Sequence, residues 1–511
     1  MSEYTKGKKV ALLAGPLIFL TLLLLPPLPG MAEAARAAEV KSYIYPQLAL
    51  GVLIWTAVWW ISECVPLGLA ALIPPIIFSL MGIITWKEAL TRFTDPIIWV
   101  FMGGFALAKA FSVWGLDKRI ALKLSLLYKG KNPKIAAMFV AGLPVFVLTV
   151  TGSITASTSI VYPIVLAFLT SMGFGAGSSY AEATMLLLGQ AATAGAMLLL
   201  ISTPPNLIAK RVIEEVVPGV TITFFDWFIV GTPHALIGLV IVWLVIFLVL
   251  KPEIGDLSTA RRKLVEEARK LGPMSKGEKV TLGVFLLTMA LWILPGLVLL
   301  ASYSLPELSD LAMTLKKVLP EAGPAAVAIL LLGLLRVNGR PLLTWKELEE
   351  GIDWNVVFLF GGGIALSAGL KKSGFASWLA SITIASVGSK LDFWTIIAVS
   401  ALLGFLITYP ASNTASTLIS APIVAALAQG AGINPMPAVI AVGLACSISS
   451  ALPSTTPPMA IVYGSRYIKL WNMFKVGMIA DTIRLIILVL LTPSLTAYLC
   501  ELKGIPLYYS P

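Results

Sequence analysis

The sequence predicts an all-α polytopic membrane protein with about 11 transmembrane helices, two re-entrant hairpins and two inverted repeats. Its 511 residues are 58% hydrophobic and only 12% charged, with a mean hydropathy of +0.91. Soluble domains have roughly 25% charged residues. Many apolar runs reach the roughly 20 residues with which a helix crosses a bilayer. A polar motif in the first half, Thr149–Thr158, recurs as Thr408–Thr417 at an offset of 259 residues.

The apolar runs predict the spans in chain order. We place them at about 10–30, 45–62, 65–83, 97–113, 181–217, 229–250, 280–301, 322–336, 354–371, 434–465 and 477–498. The runs at 181–217 and 434–465 are too long for one uninterrupted helix. Each contains a Thr-Pro-Pro sequence, within Ser202–Asn206 and Ser454–Pro458. Because proline lacks a backbone N–H, we expect both helices to be broken there.

The two copies of the polar motif lie between apolar stretches that are short for a full crossing. We therefore predict a re-entrant hairpin at 135–171 and a second at 391–428. Small polar residues at membrane depth are costly unless they face protein, water or a ligand. The tips of the hairpins, Ser153–Thr155 and Ser412–Thr414, are thus predicted to be functional.

The offset of 259 residues also relates other motifs. Thr85–Glu88 matches Thr344–Glu347, and Gly103-Gly104 matches Gly362-Gly363. Each copy carries five spans, and an odd number places the second copy in the membrane upside down. The predicted division is an N-terminal span and loop (1–44), a first repeat of spans 2–6 (45–250), a cytoplasmic linker (251–279), a second repeat of spans 7–11 (280–498) and a tail (499–511).

The net charge of +11 does not indicate a nucleic-acid partner, because the basic residues lie in short loops between spans. Lys and Arg accumulate in cytoplasmic loops of membrane proteins. With the N-terminus in the cytoplasm, the basic clusters at 118–134, 261–270 and 466–475 all lie on that side. The predicted location is therefore the cell membrane, which the chain crosses several times and leaves with its C-terminus outside.

The residue types present disfavour an enzyme. The chain has one His and three widely spaced Cys, and the spans contain no cluster of acids for metal or acid–base chemistry. No GxxxxGKS motif for nucleotide binding is present. A membrane enzyme and an arsenite-type pump subunit remain remote alternatives.

The tips and breaks together suit an anion with a cation beside it. Free N–H groups at the N-terminus of a half-helix favour a carboxylate or oxyanion. Asn, Ser and Thr side chains add neutral donors, while carbonyl and hydroxyl oxygens suit Na⁺. Neither tip contains Lys or Arg, so helix ends or cations must balance the substrate charge. These features predict a secondary transporter of small anions.

The paired Ser-x-Thr tips, the paired Thr-Pro-Pro breaks and the repeated Gly-Gly motif resemble the divalent anion:sodium symporter family, the INDY-type di- and tricarboxylate transporters. The resemblance covers about 45–498. It implies sodium symport of a dicarboxylate of the succinate, malate or fumarate class, with one or two Na⁺ ions. It also implies a homodimer, a scaffold domain with a transport domain, and elevator-type alternating access.

The resemblance also implies site residues. One sodium site would use Thr149, Ser153 and Ser202, and the other would use Thr408, Ala411, Asn413 and Thr455. The residues implied for the substrate are Ser153, Thr155, Pro204, Ser412, Asn413, Thr414 and Pro457.

Two positions depart from the family pattern, which has Ser-Asn-Thr at both tips. Here the first tip has Ile154, whose side chain can neither donate to a carboxylate nor coordinate Na⁺. Met459 stands where the first break has Asn206. The first sodium site is therefore in doubt. The alternatives are a dicarboxylate exchanger and a transporter of sulfate or another inorganic oxyanion with reduced sodium coupling.

Lys109, His234, Asp481 and Arg484 are charged or titratable residues within predicted spans. We expect Lys109 to reach the interface or to pair with an acid such as Asp117; a sharper alternative is that its charge replaces a lost sodium ion. Asp481 and Arg484, at i and i+3, are predicted to form a structural pair. His234 has a proton-coupling role only as a minor alternative.

Overall fold

Helices make up nearly all of the computed structural model, which describes residues 5–252, 258–387 and 392–508. The first residue of the predicted second hairpin, residues 253–257 near the start of the predicted linker and the extreme ends of the chain lie outside this range. A two-stranded antiparallel hairpin, Arg336–Val337 with Arg340–Pro341, is the only sheet in the described part. The all-α polytopic fold predicted from the sequence is confirmed.

Fourteen helices precede the linker. They are α1 Lys6–Leu24, α2 Met31–Ala37, α3 Tyr45–Ser62, α4 Leu67–Ala70, α5 Ile73–Leu80, α6 Trp86–Thr91, α7 Pro96–Trp114, α8 Leu116–Ser125, α9 Pro133–Ala137, α10 Leu143–Leu148, α11 Ile154–Ser171, α12 Ser179–Gly195, α13 Pro204–Val216 and α14 Phe224–Val249. A π-helical turn at Met138–Gly142 joins α9 to α10.

Twelve helices follow. They are α15 Ser258–Lys270, α16 Lys276–Ser304, α17 Ser309–Val318, α18 Ala322–Leu334, α19 Trp345–Gly351, α20 Trp354–Lys372, α21 Phe375–Val387, α22 Phe393–Thr408, α23 Asn413–Gly430, α24 Pro435–Ala445, α25 Pro457–Gly464 and α26 Leu470–Leu502. Eight segments of the described chain are long and apolar enough to cross a membrane, and several predicted spans are instead shorter apolar helices. The count of about 11 spans stays a prediction.

Three predicted segments differ from the structure. The span at 65–83 is two short helices, α4 and α5, because Pro74 and Pro75 occupy the first turn of α5 and start a new helix. The linker, predicted as a solvated loop, contains α15, whose Leu264 is buried. The basic segment after span 4 contains α8, which buries Leu116 and Leu122.

The offset of 259 residues is visible in the helices themselves. The helices α11 and α23 begin at Ile154 and Asn413, and each has 18 residues. Ser153 and Ser412 precede them as N-caps, and each side chain accepts a hydrogen bond from the third backbone N–H of its helix. Equivalent residues therefore fold equivalently in the two halves, although their opposite orientation in the membrane stays a prediction.

The glycine pairs allow close helix packing, as their spacing predicts. A Cβ at Gly103 would lie 2.7 Å from the Cβ of Ala325, so α7 and α18 touch through their backbones. The first tip approaches the same helix, since a Cβ at Gly152 would lie 3.3 Å from the Cα of Gly104. Gly152 also has a φ of +101°, which favours glycine at this turn.

The first halves of the two broken helices lie at the centre of the molecule. All 11 residues of α24 are buried, and in α12 every residue from Tyr180 to Gly195 is buried. Both helices are rich in Ala, which lets neighbouring helices approach closely. The hairpin helices and the long helices α14 and α26 pack around them. This core fixes the positions at which the two breaks begin.

Candidate functional site

A cavity of about 410 Å³ lies where the two tips and the two breaks meet. The tips contribute Ser153, Ile154, Thr155, Ser412, Asn413 and Thr414, and the breaks contribute Ser202, Thr203, Pro204, Thr455, Thr456 and Pro457. Other elements complete the wall, including Glu63, Phe105, Asp353, Asn355 and Leu359. The two polar motifs, 259 residues apart in the chain, thus line one cavity.

Four of the helices that begin at this cavity start at the tips and the breaks. Two are the hairpin helices α11 and α23, which start at the tips, and two are α13 and α25, which start at Pro204 and Pro457. Each helix N-terminus carries roughly half a positive elementary charge. No Lys or Arg is among the described residues that line the cavity. Attraction for an anion would therefore have to come from the helix ends, against the acidic side chains of Glu63 and Asp353 in the wall.

The hairpin helices also supply hydrogen-bond donors. Ser153 and Ser412 cap only the third backbone N–H of their helices, which leaves the first and second N–H groups without an intrahelical partner. The second position is Thr155 in α11 and Thr414 in α23, and both residues line the cavity. Each tip therefore offers two backbone N–H groups and a hydroxyl.

The second tip is backed by a cluster of oxygen atoms. Thr408 Oγ1 lies 2.8 Å from Asn413 Oδ1 and 2.8 Å from the carbonyl oxygen of Cys446. Ser449 Oγ lies 3.0 Å from the same Asn413 oxygen. Cys446 and Ser449 belong to the segment that follows α24. Hydroxyl, amide and carbonyl oxygens at these spacings form a donor set that fits a hard cation such as Na⁺.

The corresponding cluster at the first tip is poorer in oxygen. Thr149 Oγ1 lies 2.7 Å from the carbonyl oxygen of Phe146 and 3.0 Å from that of Gly195. Ile154 occupies the position equivalent to Asn413, so the side-chain amide oxygen is missing. The residues present therefore fit a cation less well here than at the second tip.

Asn206 holds the first break in shape. Its Nδ2 donates to the carbonyl oxygens of Ala196 and Leu199, both at 2.8 Å. Its Oδ1 is buried without a hydrogen-bond partner in the described structure. At the second break, Met459 instead packs against α12, since its Sδ lies 2.7 Å from a Cβ built at Gly189. The two breaks are thus stabilised by different means.

The structure brings most of the predicted site residues to the cavity. All seven residues predicted for the substrate line it, and so do Ser202 and Thr455. Thr149, Thr408 and Ala411 are buried behind the tips. The ligands that these residues hold stay a prediction.

Some residues at the site were not predicted from the sequence. Ser449 and the carbonyl of Cys446 join the second oxygen cluster, and Asn206 closes the first break. The run Ser447-Ile-Ser-Ser450, which directly precedes the second break, was the available signal. Lys109 pairs with Glu350 at 3.5 Å and not with Asp117, because α19 packs against α7.

The predicted pair in α26 forms, and it is fully buried. Arg484 Nη1 lies 3.4 Å from Asp481 Oδ1. Nearby, His234 Nε2 lies 3.1 Å from Thr492 Oγ1, and neither residue lines the cavity.

The fold defines a polytopic helical membrane protein, with one cavity at which the two tips and the two breaks meet. Residues 8–501 match the family described as the sodium:sulfate symporter transmembrane region, and the chain belongs to that family.

Curated relatives support the family assignment over nearly the whole chain. The sodium-dependent dicarboxylate transporter SdcS of Staphylococcus saprophyticus is 29% identical over 504 residues, covering 96% of this chain and 91% of that protein. SdcS of Staphylococcus aureus strain USA300 is 29% identical over 506 residues, with 95% and 91% covered.

Two solved structures share the fold. The YdaH transporter of Alcanivorax borkumensis has a TM-score of 0.52 at 17% identity, covering 85% of this chain and 89% of that one. MtrF of Neisseria gonorrhoeae, described with a class of antimetabolite efflux pumps, has a TM-score of 0.51 at 15% identity, covering 82% and 84%.

Proposed function

We propose that this protein is a secondary active transporter that moves a small dicarboxylate, of the succinate, malate or fumarate class, together with Na⁺. One observation carries the proposal: four helix N-termini and two hydroxyl-bearing tips surround one cavity that has no basic side chain among its described lining residues. The description of the family supports Na⁺ as the coupling ion, and the sodium-dependent dicarboxylate transporters among the relatives support both the ion and the substrate.

The distribution of donors suits a dianion with two separated charged ends. Thr155 with the first N–H groups of α11 would hold one carboxylate, and Asn413 and Thr414 with those of α23 would hold the other. Ser153, Ser412, Pro204 and Pro457 complete the binding surface. A dianion also needs positive charge beside it, which Na⁺ at the oxygen clusters supplies.

The two oxygen clusters differ in their fit to Na⁺, and this difference bears on stoichiometry. Thr408, Ala411, Asn413 and Thr455 would hold one ion, with the oxygens of Cys446 and Ser449 nearby. Thr149, Ser153 and Ser202 would hold a second ion less firmly, because Ile154 supplies no oxygen. A dicarboxylate exchanger with weak sodium coupling is therefore the second candidate.

Transport further requires that the cavity open to each side in turn. We infer an elevator-type movement of the hairpins and broken helices against the remaining helices, in a homodimer in the cell membrane. The N-terminus would lie in the cytoplasm and the C-terminus outside. The support for this arrangement is the equivalence of α11 and α23 at the offset of 259 residues and the placement of the basic loops.

Uptake by purified protein in liposomes tests the proposal. Radiolabelled succinate should accumulate under an inward Na⁺ gradient and not under a matched K⁺ gradient, and excess unlabelled malate should compete better than sulfate. Uptake that needs internal dicarboxylate and not Na⁺ would favour the exchanger. Competition by sulfate alone would contradict a dicarboxylate substrate.

A further inference from the structure

Behind the cavity, α26 carries a buried carboxylate that contacts both elements of the second oxygen cluster. Asp481 Oδ2 accepts from the Tyr409 hydroxyl at 2.9 Å and from the Ser450 backbone N–H at 2.6 Å. Its Oδ1 accepts from the Ser450 hydroxyl at 2.8 Å. Asp481 is fully buried, so three donors stabilise a charge that would otherwise be costly at this depth.

The partners of Asp481 directly follow residues of the oxygen cluster. Tyr409 comes after Thr408, and Ser450 comes after Ser449, the two hydroxyl residues that contact Asn413 Oδ1. Consecutive Cα atoms are held about 3.8 Å apart, so a shift of one residue is passed on to its neighbour. The contacts of Asp481 therefore bear on the distance between the second hairpin tip and the second break at this cluster.

Arg484, one turn further along α26, reaches both broken helices. Its Nη2 donates to the carbonyl oxygen of Thr193 at 3.2 Å, and its Nη1 lies 3.1 Å from Thr193 Oγ1 and 3.1 Å from the carbonyl oxygen of Ile448. Thr193 lies two residues before Gly195, whose carbonyl contacts Thr149. The guanidinium thus joins the C-terminal ends of the two half-helices that carry the oxygen clusters.

We propose that Asp481 and Arg484 are positioning residues that set the sodium affinity of the transporter, by holding the two breaks at a fixed distance from the hairpins and from each other. The inference rests on the proposed sodium coupling. A simple structural ion pair needs only its two members. This pair instead makes six further hydrogen bonds, to Tyr409, Ser450, Thr193 and Ile448, within two residues of the cluster atoms.

The mildest test removes one hydroxyl. Tyr409→Phe deletes the donor to Asp481 and keeps the ring in place. Tyr45→Phe is the matched control, because the Tyr45 hydroxyl donates to the carbonyl oxygen of Met81, in contact with α5 and away from the cavity. Loss of a hydrogen bond to a charged group should raise the half-activating Na⁺ concentration about tenfold.

The kinetic pattern separates positioning from a structural role. With Tyr409→Phe, the KM for succinate at saturating Na⁺ and the maximal uptake rate should change by less than about twofold, because no group on the substrate side is removed. Tyr45→Phe should leave the sodium curve unchanged. An unchanged sodium curve in Tyr409→Phe, or a lower melting temperature with unchanged sodium response, would overturn the inference.

A second readout does not need transport. Na⁺ should raise the melting temperature of the purified wild type relative to K⁺, and Thr193→Val should require more Na⁺ for the same rise. Thr184→Val in the same helix is the control, since the Thr184 hydroxyl donates only to its own helix. A wild type that binds Na⁺ but carries no dicarboxylate contradicts the proposed function alone. If Na⁺ does not raise the melting temperature of the wild type relative to K⁺, the proposed positioning role is wrong.

Discussion

The side-chain oxygen of Asn413 accepts two hydrogen bonds beside the cavity. This atom, Oδ1, accepts from Thr408 and Ser449 at 2.8 and 3.0 Å, while the residue also begins α23 and lines the cavity. Asn413 therefore has two predicted roles. Its side-chain oxygen would contact the cation, and its backbone N–H at the start of α23 would contact the anion. In the proposed transporter, Asn413 would link ion and substrate, through its side chain and its backbone respectively.

Asn413→Ala should reduce sodium-driven succinate uptake by at least about tenfold, because it removes an oxygen from the cluster and takes away the acceptor of the Ser449 hydroxyl. Thr414→Ala should raise the KM for succinate. Thr170→Ala is the control, since that hydroxyl bonds only to carbonyls of its own helix. Wild-type uptake by both site variants in liposomes would refute the assignment.

Ile154→Asn restores the amide that the family pattern has at the first tip. The added oxygen should strengthen the first cluster, so the half-activating Na⁺ concentration should fall and the dependence of uptake on Na⁺ should steepen. Ile154→Val changes the size without adding an oxygen, and its sodium curve should match the wild type. Identical curves for all three proteins would mean that this position does not affect the ion.

Sequence patterns predicted which residues reach the cavity and missed how they are held. Ser153, Thr155 and Thr414 could be predicted because small polar residues recur at a fixed offset between apolar runs. Ser449 and Thr193 could not, because a hydroxyl in a buried helix usually bonds to its own backbone. Only the three-dimensional arrangement of the breaks shows that Ser449 also contacts Asn413 and that Thr193 also contacts Arg484.

At the scale of elements, backbone contact between helices positions the hairpins. The helix α7 touches α18 at Gly103 and the first tip at Gly104, on neighbouring residues. In the second half, a Cβ at Gly363 would lie 2.1 Å from Leu418 of α23. A glycine pair in each half thus faces a hairpin. The pairs were predictable as packing motifs, but their partner helices were not, because spacing within one helix carries no information about its neighbour.

Gly103→Ala should destabilise the protein by on the order of 1–3 kcal/mol, since the new Cβ would overlap Ala325. The melting temperature should fall, and adding Ala325→Gly should restore part of it. Gly283→Ala in α16 is the control, because nothing lies within 4 Å of a Cβ there. If Gly103→Ala melted at the same temperature as the wild type, α7 and α18 would be able to move apart without cost.

At the scale of the whole molecule, ion pairs connect α13 to distant helices. Arg211 lies 3.0 Å from Asp95 at the start of α7, and Lys210 lies 3.5 Å from Glu321 beside α18. Since α13 begins at the cavity, these pairs tie the site to helices that do not line the oxygen clusters. Any movement of the breaks against α7 and α18 must separate these charges.

The predicted orientation can be tested by labelling. All three native cysteines are buried, so the background for an impermeant maleimide should be low. Arg269→Cys in α15 should be labelled only after the membrane is opened, and Glu307→Cys, between α16 and α17, should be labelled in intact cells. Both side chains are exposed. The reverse pattern would invert the topology.

The two breaks have one further consequence. Pro204, Pro205, Pro457 and Pro458 fill the first two positions of α13 and α25, and proline has no backbone N–H to donate. On this side the proposed anion would be held by the electrostatic field of the helix ends, with few directional hydrogen bonds to break when it leaves. Such a wall favours rapid release and tolerates anions of different shape, which leaves the hairpins to discriminate among them.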